Sequence, residues 1–315
     1  GLVRSYAVSP TAGRFAVVTH CGSGSCWSDD DRLIRLASLS NGTTIATLSL
    51  HTGRVDSIAF APDGSRLAST GADRSIKLWN AVDGAIVRNW TAHTRPLTEL
   101  VFGPDSSRLA GVTEDGLLMT WNVATGALLT TSPNVSSTEA GRIAFHSDGT
   151  RVAVTGATGL LVLNSADGSL NRAIPAAGCV LSGWQPGTER LAATCGSSVR
   201  LYDAATGGLL STLSGHSGTI SAAVFDPSGT TLATSSTEDH TIRLWNPDSG
   251  AVRHVIKGHY SPEGGYVWLM SGLVNLDNGS LVTSGQDGNV MFLDAATGAW
   301  QRDLVPNGGL GPVLG

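Results

Sequence analysis

Charge is scarce in this chain: 14% of its 315 residues are Asp, Glu, Lys or Arg, where an average globular domain carries roughly a quarter. The formal net charge is -5 and no Lys/Arg stripe occurs, which excludes a protein that tracks phosphate backbones, so no nucleic-acid partner is expected. Long apolar runs are missing too. No segment reaches the roughly eighteen apolar residues a membrane helix needs, and the first residues lack the basic start, apolar stretch and small-residue cleavage site of an export signal. No membrane insertion is expected. The common catalytic signatures are also absent: there is no Gly-x-Ser-x-Gly elbow, no phosphate-cradling glycine loop and no His-Glu-x-x-His pair. The chain therefore reads as a non-enzyme without cofactor or metal. Its first residues, Leu2 to Ser9, read as a strand entered without a lead-in, as in a domain within a longer protein.

What is present is core material and turn residues. Apolar residues make up 41% of the chain, which leaves no compositional case for disorder. The 40 glycines are nearly twice the usual share of about 7% and are spread along the chain, which implies many tight turns.

Those turns repeat. Strands ending in an aromatic or aliphatic residue followed by Asn or Asp occur at Trp79-Asn80, Trp121-Asn122, Leu163-Asn164, Tyr202-Asp203, Trp245-Asn246 and Leu293-Asp294. Their spacing is about forty residues, the period of a four-stranded propeller blade. A degenerate copy, Leu33 to Ser38, completes seven units. The second unit shows the order best: a strand through Ile58 and Phe60, the turn Ala61-Pro62-Asp63-Gly64-Ser65, and a strand Arg66 to Thr70. A loop with Asp73, the strand Ile76 to Trp79, the turn Asn80 to Gly84 and a last strand Ala85 to Trp90 follow. Asp-Gly turns between short alternating strands are hairpin signals, so each unit is four antiparallel strands. Such a unit cannot bury both faces alone, and radial stacking is the arrangement that leaves few exposed edges. The expected fold class is all-β, a seven-bladed β-propeller. It forms a single domain, 1–315, with blades at about 1–49, 50–91, 92–132, 133–174, 175–214, 215–257 and 258–305.

At these residues the chain resembles the WD40-repeat (WD-repeat) β-propellers, from about Val3 to Val305. In that family a His before the first strand, a Ser/Thr on the second, an Asp in the following loop and a Trp on the third form a hydrogen-bonded structural tetrad. The resemblance assigns His51, Ser69, Asp73 and Trp79 to one tetrad, and His216, Thr234, Asp239 and Trp245 to another. Blade three keeps His93, Asp115 and Trp121 but has Gly111 at the hydroxyl position, and blade seven keeps His259 and Asp287 but has Leu293 for the Trp. Asp31 fills the Asp position of blade one. Blades one, four and five are more degenerate, and apolar packing is expected to hold them.

The four cysteines form two pairs. Folding the hairpin of blade five about Gln185 to Glu189 puts Cys179 opposite Cys195 and Trp184 opposite Arg190, while Cys21 and Cys26 bracket one short loop. Both pairs could close as disulfides in an oxidising, extracytoplasmic compartment; in a cytoplasmic one they would remain thiols.

Two insertions break the repeat. One, in blade one, carries Trp27, Asp29 and Asp30; the other, after His259, carries Tyr260, Glu263, Tyr266 and Trp268. Exposed Trp and Tyr beside carboxylates anchor interfaces with basic partners, so these residues are the expected partner site. The function expected is a protein-protein interaction scaffold or sensing domain, monomeric, binding a protein or basic peptide. Its expected context is the C-terminal part of a larger bacterial signalling protein. A propeller that binds a small molecule or glycan is the alternative, with a lactonase-like or other hydrolase propeller behind it.

Overall fold

The computed structural model describes residues 2–9, 11–20, 29–91, 93–132, 142–257, 269–275, 279–285 and 290–304. The fold is a seven-bladed β-propeller, four antiparallel strands to each blade, with the short 3-10 helix Asp29–Arg32 as the one helix among the described residues. Every sheet is built from four strands consecutive in sequence. Blade one thus begins with its own first strand, Leu2–Val8, and blade seven ends with its own fourth, Trp300–Leu304.

Blade two shows why these residues make these elements. After the strand Val55–Phe60, the Asp63 side chain accepts from the Ser65 amide at 2.9 Å and the Ser65 hydroxyl at 2.7 Å. Gly64 takes φ +70°, a conformation that costs a residue with a side chain about 1 to 2 kcal/mol, and the chain reverses into Arg66–Gly71. The second reversal works alike: Asn80 accepts from the Val82 amide at 2.8 Å, and Gly84, at φ +76°, ends the turn that follows the strand Ser75–Asn80.

The described chain falls into two compact units, Gly1–Ala173 and Ile174–Gly315. In the first, alternate residues of one strand serve two cores. Leu67 and Trp79 pack back onto Ile34 and Leu36 of blade one, while their neighbours Ala68 and Leu78 pack forward onto Leu100, Leu109 and Trp121 of blade three. Ala110 and Leu118 repeat the forward contact against Ile143, Val152 and Leu163 of blade four. In the second unit, Val199 and Leu201 meet Phe225, Leu232 and Trp245, and Leu244 meets Leu281 and Leu293. Both faces of the inner strands are dry, which is why those strands read as nearly continuous apolar runs. Fourth strands face solvent, with Ile86, Val87, Leu128, Leu209 and Val255 all exposed.

A bulge recurs near the start of first strands, at Asp56, Ser182 and Ser221, and an extra residue in the fourth strand follows the pairing of Trp79, Tyr202 and Trp245. This corrects the expected register of blade five. The extra Ser182 slides the pairing by one, so Trp184 lies opposite Leu191 and not Arg190, while Val180 pairs with Thr194. Bulges add twist, and no periodic pattern of apolar residues marks their position.

Candidate functional site

The polar groups of blade two converge behind its second strand. Ser69 pairs across the sheet with Lys77, two residues before Trp79, and this register brings the Trp79 ring over the Ser69 hydroxyl. Trp79 Nε1 donates to Ser69 Oγ at 2.9 Å, and that oxygen lies 2.8 Å from His51 Nε2. His51 Nδ1 lies 2.9 Å from Asp73 Oδ2, which also accepts from the Thr52 amide at 3.0 Å. One set of protons satisfies all three contacts: indole N–H to hydroxyl oxygen, hydroxyl O–H to Nε2, and Nδ1–H to carboxylate. The imidazole is then neutral. Burial lowers its pKa from the ordinary 6.5, and the opposing charge of Asp73 does not offset this. Burial also works against the Asp73 charge, but the Ser75 hydroxyl and amide and the His51 ring outweigh it and hold the carboxyl well below its ordinary value.

Blade six repeats the arrangement with threonine. Trp245 Nε1 donates to Thr234 Oγ1 at 2.8 Å, His216 Nε2 lies 2.8 Å from the same oxygen, and His216 Nδ1 lies 2.7 Å from Asp239. The His216 pKa is again lowered, chiefly by burial.

A His between a carboxylate and a hydroxyl is also the layout of a nucleophile with its base. The surroundings differ. Ser69 and Thr234 are 0% exposed, and each hydroxyl oxygen already accepts an indole N–H, so a substrate carbonyl has no route to the oxygen. The arrangement ties four strand segments together; it does not present a reagent.

The degenerate blades depart from it in different ways. In blade three the His93 ring turns away from Asp115: Nδ1 donates to the Arg95 carbonyl, and Nε2 lies 3.3 Å from Thr70 of blade two. With Gly111 in the hydroxyl position, His93 has no partner on its own second strand, and Asp115 accepts from Thr113 instead. Blade five has Ala193 there, opposite Arg200, and carries the Cys179–Cys195 disulfide across the same hairpin, with Cα atoms 4.3 Å apart. Leu293 of blade seven is buried, but His259 and Asp287 lie outside the described residues.

Of the expected partner residues, Trp27, Tyr260, Glu263, Tyr266 and Trp268 lie outside the described residues, as do Cys21 and Cys26. Asp29 and Asp30 open the 3-10 helix Asp29–Arg32. Among the described residues no group of His, Cys, Asp and Glu could hold a metal, and no helix is long and apolar enough to cross a membrane.

Sequence reading missed Lys77, almost fully buried beside the blade two tetrad, where its ammonium reaches Ser75 Oγ at 2.7 Å, Asn89 at 3.2 Å and Asp73 at 3.5 Å. It also missed arginines that open second strands and cross to the next blade: Arg108 donates to Ser165 at 2.9 Å, and Arg190 pairs with Asp248. A signal existed for the second set, since Arg14, Arg66, Arg108, Arg151 and Arg190 all follow the first turn of a blade.

The family description "WD domain, G-beta repeat" matches residues 42–80, 84–122 and 207–246. These stretches include the third strands of blades two, three and six. No curated protein matches the chain.

Proposed function

Because this chain is a seven-bladed propeller carrying WD repeats, we propose that it acts as a non-catalytic protein-interaction scaffold. The observation that supports this most directly is the burial of its two His-Asp-hydroxyl-Trp networks, which spends the most reactive-looking groups on holding strands together. Such a body is a rigid support whose variable parts are its loops, and loops on rigid scaffolds carry function more often than the scaffold does. The partner is a protein or basic peptide, and the two loop insertions with Trp27, Asp29, Asp30, Tyr260, Glu263, Tyr266 and Trp268 receive it. The setting we propose is the C-terminal interaction part of a larger bacterial signalling protein, by analogy of fold alone. The Cys179–Cys195 bond supports an oxidising compartment for it.

The test is retention of a library of basic peptides by the immobilised chain, compared with the Trp27→Ala/Tyr266→Ala variant. Wild-type chain should retain basic over acidic sequences, and the variant should lose that retention at an unchanged melting temperature. Equal retention by both chains, or none by either, would remove the loop site and the basic-peptide reading.

A further inference from the structure

In blade five the Cys179–Cys195 bond stands in an electrostatic setting of its own. The strands Arg190–Cys195 and Ser198–Asp203 are joined by Gly196 and Ser197 alone, so this blade lacks the loop aspartate that blades two and six carry as Asp73 and Asp239. Arg200 nevertheless keeps the basic position of the third strand: it pairs across the sheet with Ala193, as Lys77 does with Ser69 and Arg243 with Thr234. In blade two that cation lies 3.5 Å from Asp73. In blade five it has no carboxylate partner among the described residues, and Arg200 Nη1 lies 4.0 Å from Cys179 Sγ instead.

The two sulfurs are therefore unequal. Cys179 is 4% exposed with the guanidinium beside it, whereas Cys195, at the end of the hairpin, is partly exposed and has no such contact among the described residues. Each lies near one backbone carbonyl, Ala177 at 3.9 Å from Cys179 and Ala193 at 3.8 Å from Cys195, so those contacts do not separate them. Disulfide exchange needs a thiolate to reach one sulfur and the other sulfur to leave as a thiolate, which is faster when that thiolate is stabilised. A guanidinium beside sulfur favours the thiolate over the thiol, while burial of Cys179 works against it. Access selects Cys195 for attack, and the charge of Arg200 selects Cys179 for departure.

We propose that the Cys179–Cys195 bond is a thiol–disulfide exchange site whose reaction partner is a dithiol. One thiolate of the dithiol attacks Cys195 Sγ, the Cys179–Cys195 bond breaks, and its electron pair leaves on Cys179 Sγ beside Arg200. The second thiolate of the dithiol then attacks the dithiol's own sulfur in the mixed disulfide and releases Cys195. The dithiol ends as a disulfide, and the chain gains two electrons and two protons. Oxidation by a disulfide runs the same steps backwards. The Gly196 carbonyl accepts from the Ile220 amide at 2.9 Å, so the hairpin end that opens is tied to the first strand of blade six, Ile220–Phe225.

Two arms test this on the full folded chain. In the first, oxidised chain meets glutathione, is quenched with N-ethylmaleimide and is cut with trypsin, which separates Cys179 from Cys195 at Arg190. Glutathione is expected on Cys195 and maleimide on Cys179. In the second, reduction by dithiothreitol is timed at temperatures equally far below each chain's melting point. The rate should respond little to sub-denaturing urea, fall about three- to tenfold in Arg200→Gln, and return toward wild type in Arg200→Lys. Glutathione on Cys179, a rate that climbs with urea as global unfolding does, or a rate unchanged in Arg200→Gln would each overturn the assignment. The glutathione map and the urea response need only the wild-type chain, so they decide the matter even where a variant fails to fold.

Discussion

Ser106 occupies the turn position that Gly64, Gly149 and Gly229 hold in blades two, four and six, and it takes the same left-handed conformation, φ +59° against +70°, +71° and +73°. For a residue with a Cβ this costs about 1 to 2 kcal/mol, and glycine would return roughly half of that through its greater freedom when unfolded. The Ser106 hydroxyl accepts from the Asp63 amide, but at 3.3 Å and in an exposed position, where such a bond adds little. Backbone relief thus outweighs the lost contact, and Ser106→Gly should stabilise the chain by about 0.5 to 1 kcal/mol in urea unfolding. A loss of stability on making the change would show that the cross-blade hydroxyl contact matters more than the turn. Arg74 and His240, at φ +59° and +56°, stand directly after the tetrad aspartates, where blade three has Gly116 at +84°.

At the scale of elements, blade five poses the clearest question, since it keeps the strand plan but none of the polar fastener. Ala193 stands opposite Arg200 where blade two sets Ser69 opposite Lys77, and Tyr202 replaces the tryptophan. The Cys179–Cys195 bond ties the first strand to the second across a separation of 16 residues. That is the hairpin end where blades two and six use His and Asp. Closing a loop of this length restricts the unfolded chain by about 3 kcal/mol. Reduction, or the Cys179→Ala/Cys195→Ala change, should therefore lower stability by about 2 to 3 kcal/mol and speed amide exchange first in Val180–Trp184 and Arg190–Cys195. If thiol labelling shows complete reduction while the unfolding midpoint stays where it was, the bond is not a fastener. The pairing itself could be read from the spacing of the two cysteines about one turn, whereas the bulge at Ser182 could not, because no alternation of apolar residues encodes a one-residue slip.

For the molecule as a whole, the repeat of Asp-Gly turns and strand-ending aromatics made the seven four-stranded sheets legible from the residues alone, because each blade spells its turns with the residues their dihedrals demand. The tetrads of blades two and six were legible for the same reason. His93 was not: a missing hydroxyl at Gly111 shows in the sequence, but the ring's turn toward Thr70 of a neighbouring blade is a contact between units of the repeat, which no motif within one unit records. These buried rings also set how the whole chain responds to acid. His51, His93 and His216 all have pKa values lowered by burial from the ordinary 6.5, so below that pH the unfolded chain takes up protons that the folded chain refuses. Stability is then complete above about pH 6.5 and is lost as pH falls from there toward the folded-state values. Asp73 and Asp239, held below their ordinary 3.8, add a second loss only under that lower pH. Glu99 acts in the opposite sense, since burial raises its pKa from 4.5 despite Arg142 and the Ile143 amide, and its protonation in mild acid recovers part of the loss. Three imidazoles against one carboxyl fix the sign: the melting temperature should fall between pH 7 and pH 5, and His216→Gln should flatten part of that slope. A melting temperature that holds or rises across this interval would mean that the rings accept protons in place, and that the neutral hydrogen-bond chain from Trp through hydroxyl to imidazole is not how the blades are fastened.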